Sequence, residues 1–176
     1  MRRPIVAASA AASLALALAT ATSASAADTT TTFTLTGGAL SVSAPASKAL
    51  GSGAAAGTIA AFLGSVQVTD ERAALGASWT ATVSSTDFTD PAADVVGKAS
   101  VTYWSGAATA SSGTAVAVPG QLLAGNAVTL ASSRTAFSAT LTVGNNSTTW
   151  NPTLTVNVPA QAIAGVYSGT VTHSVS

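Results

Sequence analysis

The feature that most constrains this 176-residue chain is a repeated alternation of apolar residues with serine or threonine. In residues 78–84, for example, Trp79, Ala81 and Val83 alternate with two serines and two threonines. The same period of two recurs over residues 137–143 and 153–158. Since successive side chains of a β-strand point to opposite faces, this pattern predicts strands with one apolar face and one hydroxyl-bearing face. Such strands must bury their apolar face against a second layer.

Hydroxyl groups take the place of charge on the predicted wet faces. Of residues 28–176, 44 are Ser or Thr, whereas charged residues make up only 7% of the chain. Threonine is β-branched and therefore suits an extended backbone. Short alternating segments separated by Gly, Pro and Asn predict an antiparallel β-sandwich, Ig-like or related, of about eight to ten short strands. A closed barrel is the alternative.

Local patterns give more specific expectations. Residues 33–36 alternate and are predicted to form a strand. Residues 48–57 and 106–120 are rich in small residues without clear alternation, which predicts loops. Turns are expected at the charged cluster of residues 70–72 and at the Asn pair 145–146.

Residues 1–27 have the pattern of a secretory signal peptide. Two arginines, Arg2 and Arg3, precede an apolar stretch over residues 5–19, and small residues then offer cleavage before Ala27 or Asp28. The apolar stretch is shorter than the roughly 20 residues of a transmembrane helix. We therefore expect a secreted single domain over residues 28–176, with no membrane span. It would carry four basic and six acidic residues, a net charge near −2. Because no sorting signal or lipid-anchor cysteine is seen, any attachment to a surface is predicted to be non-covalent.

Composition excludes several classes of function. The absence of cysteine rules out disulfides, thiolate metal sites and a cysteine nucleophile. A single histidine and no basic excess argue against a multi-histidine metal centre and against nucleic-acid binding. His173 has no nucleophile elbow to serve, and Asp87, Asp90 and Asp94 do not have calcium-loop spacing. The sequence therefore predicts a non-enzymatic protein without metal or cofactor.

The aromatic residues divide by strand face. Trp79 and Trp150 share parity with apolar neighbours and are expected to pack in the core. Trp104 falls on the face of Ser100 and Thr102, opposite Tyr103. A tryptophan on a wet face can stack on a sugar ring or contact a partner protein, although a loop beginning at Gly106 could also cover it.

Two segments carry a family resemblance. The first runs from Val66 to Arg72 and continues from Gly76 to Ser84; the second runs from Pro159 to Val175. Together they resemble the signature elements of the bacterial WxL domain family of surface proteins, with Ala81 where the family has leucine. In the second element His173 stands in place of a tryptophan, and Val175 stands where leucine is usual. The run Trp150-Asn151-Pro152 is also similar to WxL-like proteins.

The resemblance implies a secreted all-β protein held non-covalently at the cell wall, with peptidoglycan as ligand. It implies Trp79, Trp150, Tyr167 and His173 as motif residues, beside Trp104 as an independent surface candidate. Two alternatives stay open. One is a structural or adhesion subunit that binds other surface proteins through strand edges. The other is a glycan-active hydrolase, which would need two carboxyl groups facing each other across a cleft.

Overall fold

The computed structural model describes residues 26–176. The predicted signal peptide, apart from its last two residues, lies outside the described part. The chain divides into two units, Met1–Thr34 and Leu35–Ser176, and the strands below all belong to the second. Within residues 26–176 no helix is long and apolar enough to cross a membrane.

Eleven strands and two single 3-10 turns, Lys98–Ser100 and Ala124–Asn126, make up the regular structure of the described residues. The strands are β1 (Leu40–Ser43), β2 (Thr58–Phe62), β3 (Val66–Ser85), β4 (Phe88–Thr89), β5 (Val95–Val96), β6 (Val101–Trp104), β7 (Ala108–Pro119), β8 (Val128–Thr129), β9 (Arg134–Trp150), β10 (Thr153–Asn157) and β11 (Val171–Val175).

All strand pairs are antiparallel and form two main sheets. The first sheet has the order β1-β3-β9-β7, and β11 also pairs with β3. The second sheet has the order β2-β10-β6-β8, and β4 and β5 form a separate two-stranded ribbon. The predicted all-β, antiparallel, sandwich-like fold is confirmed. The strands number eleven rather than eight to ten, and three of them are long, since β3 has 20 residues, β9 has 17 and β7 has 12.

The three long strands of the first sheet lose regular register at the same level. β3 and β9 shift between Asp70 and Ala74, and β7 and β9 shift between Ser112 and Thr114. Gly113 and Gly144 lie at this level with φ of +69° and +63°, values that glycine adopts without steric cost. Because β-bulges bend a strand and increase its twist, they account for a bend across the whole first sheet here.

The bend brings distant parts of one strand together. Trp150 pairs with Val66 before the bend, whereas Phe137 pairs with Ala81 beyond it. Although they are 13 positions apart on β9, their rings stack with centroids 4.9 Å apart. The first sheet therefore curves around its own core, and the second sheet adds Tyr103 and Leu154 to that core.

One cluster of buried apolar residues, drawn from both sheets and the ribbon, forms the centre of this unit. Its members are Val66, Val68, Trp79, Ala81, Val83, Phe88, Val96, Val101, Tyr103, Leu130, Ala136, Phe137, Ala139, Trp150, Leu154 and Val156.

Four local expectations were wrong. Most of the predicted loop 106–120 is strand β7, because small residues can follow an edge strand without alternating. Residues 70–72 and 145–146 lie within β3 and β9, where bulges rather than turns accommodate them. Residues 33–36 form no strand, since alternation cannot hold an extended segment that has no hydrogen-bonded neighbour. The loop predicted at residues 48–57 contains no strand, as expected.

Candidate functional site

The outer face of the second sheet carries a row of two aromatic residues around a threonine. On the central strand β10, Thr153 pairs with Phe62 of β2 on one side and with Trp104 of β6 on the other. Paired residues point to the same face, and strands lie about 4.8 Å apart, which puts Phe62 and Trp104 on backbones about 10 Å apart. Their neighbours Ala61, Leu154 and Tyr103 point inward. We call the row Phe62–Thr153–Trp104 the aromatic row.

The two aromatic residues are exposed to different degrees. Phe62 is 58% exposed, whereas Trp104 is partly buried. A Cβ added to Gly106 would lie 3.5 Å from Cζ3 of Trp104, so the backbone of Gly106 approaches one edge of the indole. The loop after β6 therefore contacts this tryptophan without covering it fully.

Hydroxyl and amide groups continue the face beside the aromatic row. Thr155 lies between Ala60 and Thr102 in the next row, and Thr102 also pairs with Thr129 of β8. Asn157 closes the face beside Thr58. Strands β2, β6, β8 and β10 contain no charged residue. A neutral face of this kind can stack on a ring and hydrogen-bond to hydroxyl groups, and its four strands carry no carboxylate, imidazole or amine that could act as an acid or base.

Trp79 and Trp150 occupy the core rather than a surface. Trp79 is 2% exposed and Trp150 is fully buried, so neither ring can contact a ligand as placed here. Trp79 pairs with Ala139 on β9, and Ala139 pairs with Ala117 on β7. The small neighbours leave space for the indole. Both tryptophans have the core-packing position that their parity predicts.

His173 ends a buried hydrogen-bond chain. Nε1–H of Trp150 donates to the hydroxyl oxygen of Tyr103 at 3.0 Å, and that hydroxyl lies 3.2 Å from Nε2 of His173. Because the Tyr103 hydroxyl already accepts from Trp150, its own proton is used when it donates to Nε2, and the imidazole proton then resides on Nδ1. Nδ1 is buried and has no partner among the described residues.

Burial also sets the ionisation of this chain. Desolvation lowers the pKa of His173 from 6.5 to about 4, so the imidazole is neutral at physiological pH. Desolvation likewise raises the pKa of the Tyr103 hydroxyl above its ordinary value. A neutral imidazole held by a neutral phenol is a packing element with one satisfied hydrogen bond, and no hydroxyl nucleophile is paired with it.

Tyr167 lies outside the strands, in the irregular segment between β10 and β11. It packs against the core as a partly buried residue, and its hydroxyl donates to the carbonyl oxygen of Ile163 at 2.9 Å. Of the five predicted site residues, the structure brings Trp150 and His173 together. It places Trp104 on a different face, outside the core.

The two segments that resemble the WxL family meet in the structure. Strand β11 pairs with the second half of β3, with Val175 opposite Ala81 and His173 opposite Val83. The departures from the family pattern therefore lie next to one another. They are accommodated in the same part of the core.

At the bend, the buried carboxylate of Asp70 forms an ion pair with Arg72, whose side chain is 33% exposed. Nε of Arg72 donates to Oδ1 of Asp70 at 2.8 Å, Nη2 donates to Oδ2 at 3.0 Å, and the backbone N–H of Arg72 also donates to Oδ1. Hydrogen bonding from Arg72 lowers the pKa of Asp70. The second donor of Nη2 reaches the carbonyl oxygen of Ser78, so the guanidinium ties both sides of the bulge together.

Two other carboxylates accept hydrogen bonds from the backbone. Oδ1 of Asp87 accepts the N–H of Lys98 at 2.7 Å, and Oδ1 of Asp90 accepts the N–H of Asp94 at 2.8 Å. Among residues 26–176 there is no group of three or more metal-ligating side chains.

Sequence reasoning missed Phe62. The signal was present, since Thr58, Ala60 and Phe62 alternate with Ile59 and Ala61. By alternation, Phe62 lies on the same face of the strand as Thr58 and Ala60. Since Ile59 and Ala61 occupy the opposite face, the face of Phe62 is predicted to be the exposed one. Its pairing beside Thr153 and opposite Trp104 depends on register between strands distant in the chain.

Comparisons with protein-family models, with curated proteins and with solved structures found no match to this chain.

Proposed function

We propose that this protein is a secreted, non-enzymatic envelope protein that binds cell-wall glycan through the outer face of its second sheet. The observation that carries the proposal is the aromatic row, in which Phe62 and Trp104 flank Thr153. Two aromatic side chains separated by two strand spacings suit alternate rings of an extended polysaccharide. The surrounding hydroxyl groups suit its hydroxyls, which need neutral hydrogen-bond partners.

Other features agree with this role. The leader pattern of residues 1–27 favours export, and the resemblance to WxL domains favours peptidoglycan as the wall component. The site would hold its ligand by stacking and hydrogen bonds, so binding would be reversible and insensitive to salt.

Sedimentation with insoluble peptidoglycan tests the proposal. We expect the purified protein to sediment with the polymer, and Phe62→Ala or Trp104→Ala to weaken binding about tenfold, the effect of losing a central aromatic contact. Phe33→Ala is the matched control, because Phe33 is 92% exposed but lies outside the second sheet. Failure of the folded wild type to sediment, or equal losses in Phe33→Ala and Phe62→Ala, would overturn the proposal.

One observation favours self-assembly as a second candidate function. Strand β7 is a 12-residue edge of the first sheet, and the chain has no charged residue between Lys98 and Arg134. Val116 and Val118 on this strand are each 53% exposed. Natural edge strands are commonly protected by charge, so an uncharged edge of this length suits pairing with another surface protein or a second copy.

Light scattering separates the two functions. If β7 pairs with a second copy, the purified protein forms dimers, and Val118→Lys returns it to a monomer without changing sedimentation with peptidoglycan. A wild type that is monomeric at high concentration would remove self-assembly through β7 and leave the glycan proposal standing.

A further inference from the structure

A cavity of about 810 Å³ opens between the sheets on the inner side of β2 and β11. Its walls include Ile59 and Leu63 of the β2 end, Leu154 and Val156 of β10, and Val171 of β11. Two irregular segments, residues 44–55 and 162–170, cover it. Its volume lies in the range of about 300–1,000 Å³ that is typical of small-molecule sites.

Glycines allow the covering segments to lie close to the walls. A Cβ at Gly53 would lie 2.7 Å from Cγ1 of Ile59, and one at Gly169 would lie 2.8 Å from Cγ of Phe88. The backbone therefore touches the wall at these two points. Between them the segments contribute mainly small side chains such as Ala49 and Ala162, which leave the interior unfilled.

The lining is mainly apolar, with several hydroxyl-bearing residues at the covering segments, and it has one charged residue. Lys48 belongs to the first covering segment, lines the cavity and is exposed. His173 also lines the cavity and is uncharged at neutral pH. No Asp or Glu is among the lining residues. The nearby Asp90 caps the N–H of Asp94 with Oδ1, and its Oδ2 lies against Gly165 of the second covering segment. The cavity thus combines an apolar interior with a single positive charge.

We propose that this cavity binds a long-chain carboxylate, with its alkyl chain between Leu154, Val156 and Val171 and its carboxylate at the ammonium group of Lys48. Charge complementarity selects the head group, since Lys48 has no ion-pair partner among the described residues and its ammonium group attracts an anion. The apolar walls select the chain, because each methylene transferred from water strengthens binding about fourfold. This site lies inside the sandwich. It is therefore separate from the proposed glycan face.

Titration of the purified protein with myristate, below its micelle concentration, tests this inference. We expect saturable binding of one molecule per chain and at least tenfold weaker binding of decanoate, which has four fewer methylenes. Tetradecanol, which has the same chain length without charge, is expected to bind about fivefold more weakly than myristate.

The two lysines of the chain provide a matched pair. Lys48→Ala is expected to reduce myristate affinity to that of tetradecanol and to leave tetradecanol binding unchanged. Lys98→Ala is expected to change neither, because Lys98 does not line the cavity. Ala162→Trp, on a covering segment, is expected to weaken both ligands more than tenfold by filling the space, with folding verified by circular dichroism.

Three results would overturn the inference. They are the absence of myristate binding to the folded wild type, equal losses in Lys48→Ala and Lys98→Ala, and unchanged binding in a folded Ala162→Trp. Loss of myristate binding in Trp104→Ala would place the ligand on the outer face instead. Since Trp104 does not line the cavity, we expect no change in that variant.

Discussion

The indole of Trp150 donates a hydrogen bond to the hydroxyl of Tyr103 across the core, at 3.0 Å from Nε1 to Oη. Trp150 ends β9 of the first sheet, and Tyr103 lies on β6 of the second sheet. The same hydroxyl lies 3.2 Å from Nε2 of His173 on β11. One phenol therefore connects three strands where the interior is otherwise apolar, and it fixes how the two sheets meet.

Tyr103→Phe is expected to lower the free energy of unfolding by about 3 kcal/mol, because it leaves the buried Nε1–H of Trp150 and Nε2 of His173 without partners. Tyr167→Phe is the matched control. Its hydroxyl bonds to an exposed carbonyl that water can reach, so we expect a loss below about 1 kcal/mol. Denaturant titration measures both values. Equal decreases in the free energy of unfolding for the two variants would show that the buried hydrogen bonds of Tyr103 add no stability.

The pKa of His173 predicts loss of stability in mild acid. Its pKa is lowered to about 4 in the folded protein, whereas the unfolded chain binds a proton near pH 6.5. The unfolded state holds more protons between these values, so stability falls as pH decreases through this window. From about pH 7.5 to about pH 5 we expect a loss of about 2 kcal/mol.

His173→Phe should remove this pH dependence, whatever its effect at neutral pH. The measurement is the free energy of unfolding of both proteins between these two pH values, where the unfolded-state carboxylates remain largely ionised. A wild-type stability that is flat over this range would contradict burial of a neutral imidazole.

Arg72→Ala is expected to cost about 2 kcal/mol, since it leaves the buried carboxylate of Asp70 without its main partner. In the double variant with Asp70→Asn, the loss should be smaller than the sum of the single losses by about 1 kcal/mol or more. Arg134→Ala is the control, because Nε of Arg134 donates only to an exposed carbonyl oxygen of Thr129. Arg134→Ala should change the free energy of unfolding by no more than about 0.5 kcal/mol. Additive losses for Asp70 and Arg72 would indicate that the pair contributes no coupling.

Two glycines at the bend predict different costs of adding a methyl group. Both have positive φ, but a Cβ at Gly113 would lie 2.2 Å from the carbonyl oxygen of Asn145, whereas nothing lies within 4 Å of one at Gly144. Gly144→Ala should cost only the left-handed backbone conformation, about 1 kcal/mol. Gly113→Ala should lower the free energy of unfolding by at least about 2 kcal/mol more than Gly144→Ala, because the backbone at Asn145 must move to make room for the methyl group. Similar denaturant midpoints for the two variants would contradict close packing of β7 against β9 at the bend.

The sequence by itself determined which side chains point inward. Alternation placed Trp79 and Trp150 on the apolar side and Trp104 on the wet side, because the two faces of a strand follow from a period of two within a few residues. It also predicted the all-β class, since hydroxyl-bearing faces and frequent turn residues leave no helical stripe.

Tertiary structure decided what the inward and outward side chains meet. The stacking of Phe137 on Trp150 requires the first sheet to bend, and the bend depends on bulges shared by three strands. The placement of Phe62 and Trp104 on either side of Thr153 requires β10 to pair in register with two strands, about 90 and about 50 positions earlier in the chain. Sliding one strand past its neighbour by two residues leaves every side chain on the same face of the sheet. The alternation in the sequence therefore determines which face a residue occupies but not which residue it pairs with. Only the packed core, in which Tyr103 reaches both Trp150 and His173, selects one arrangement.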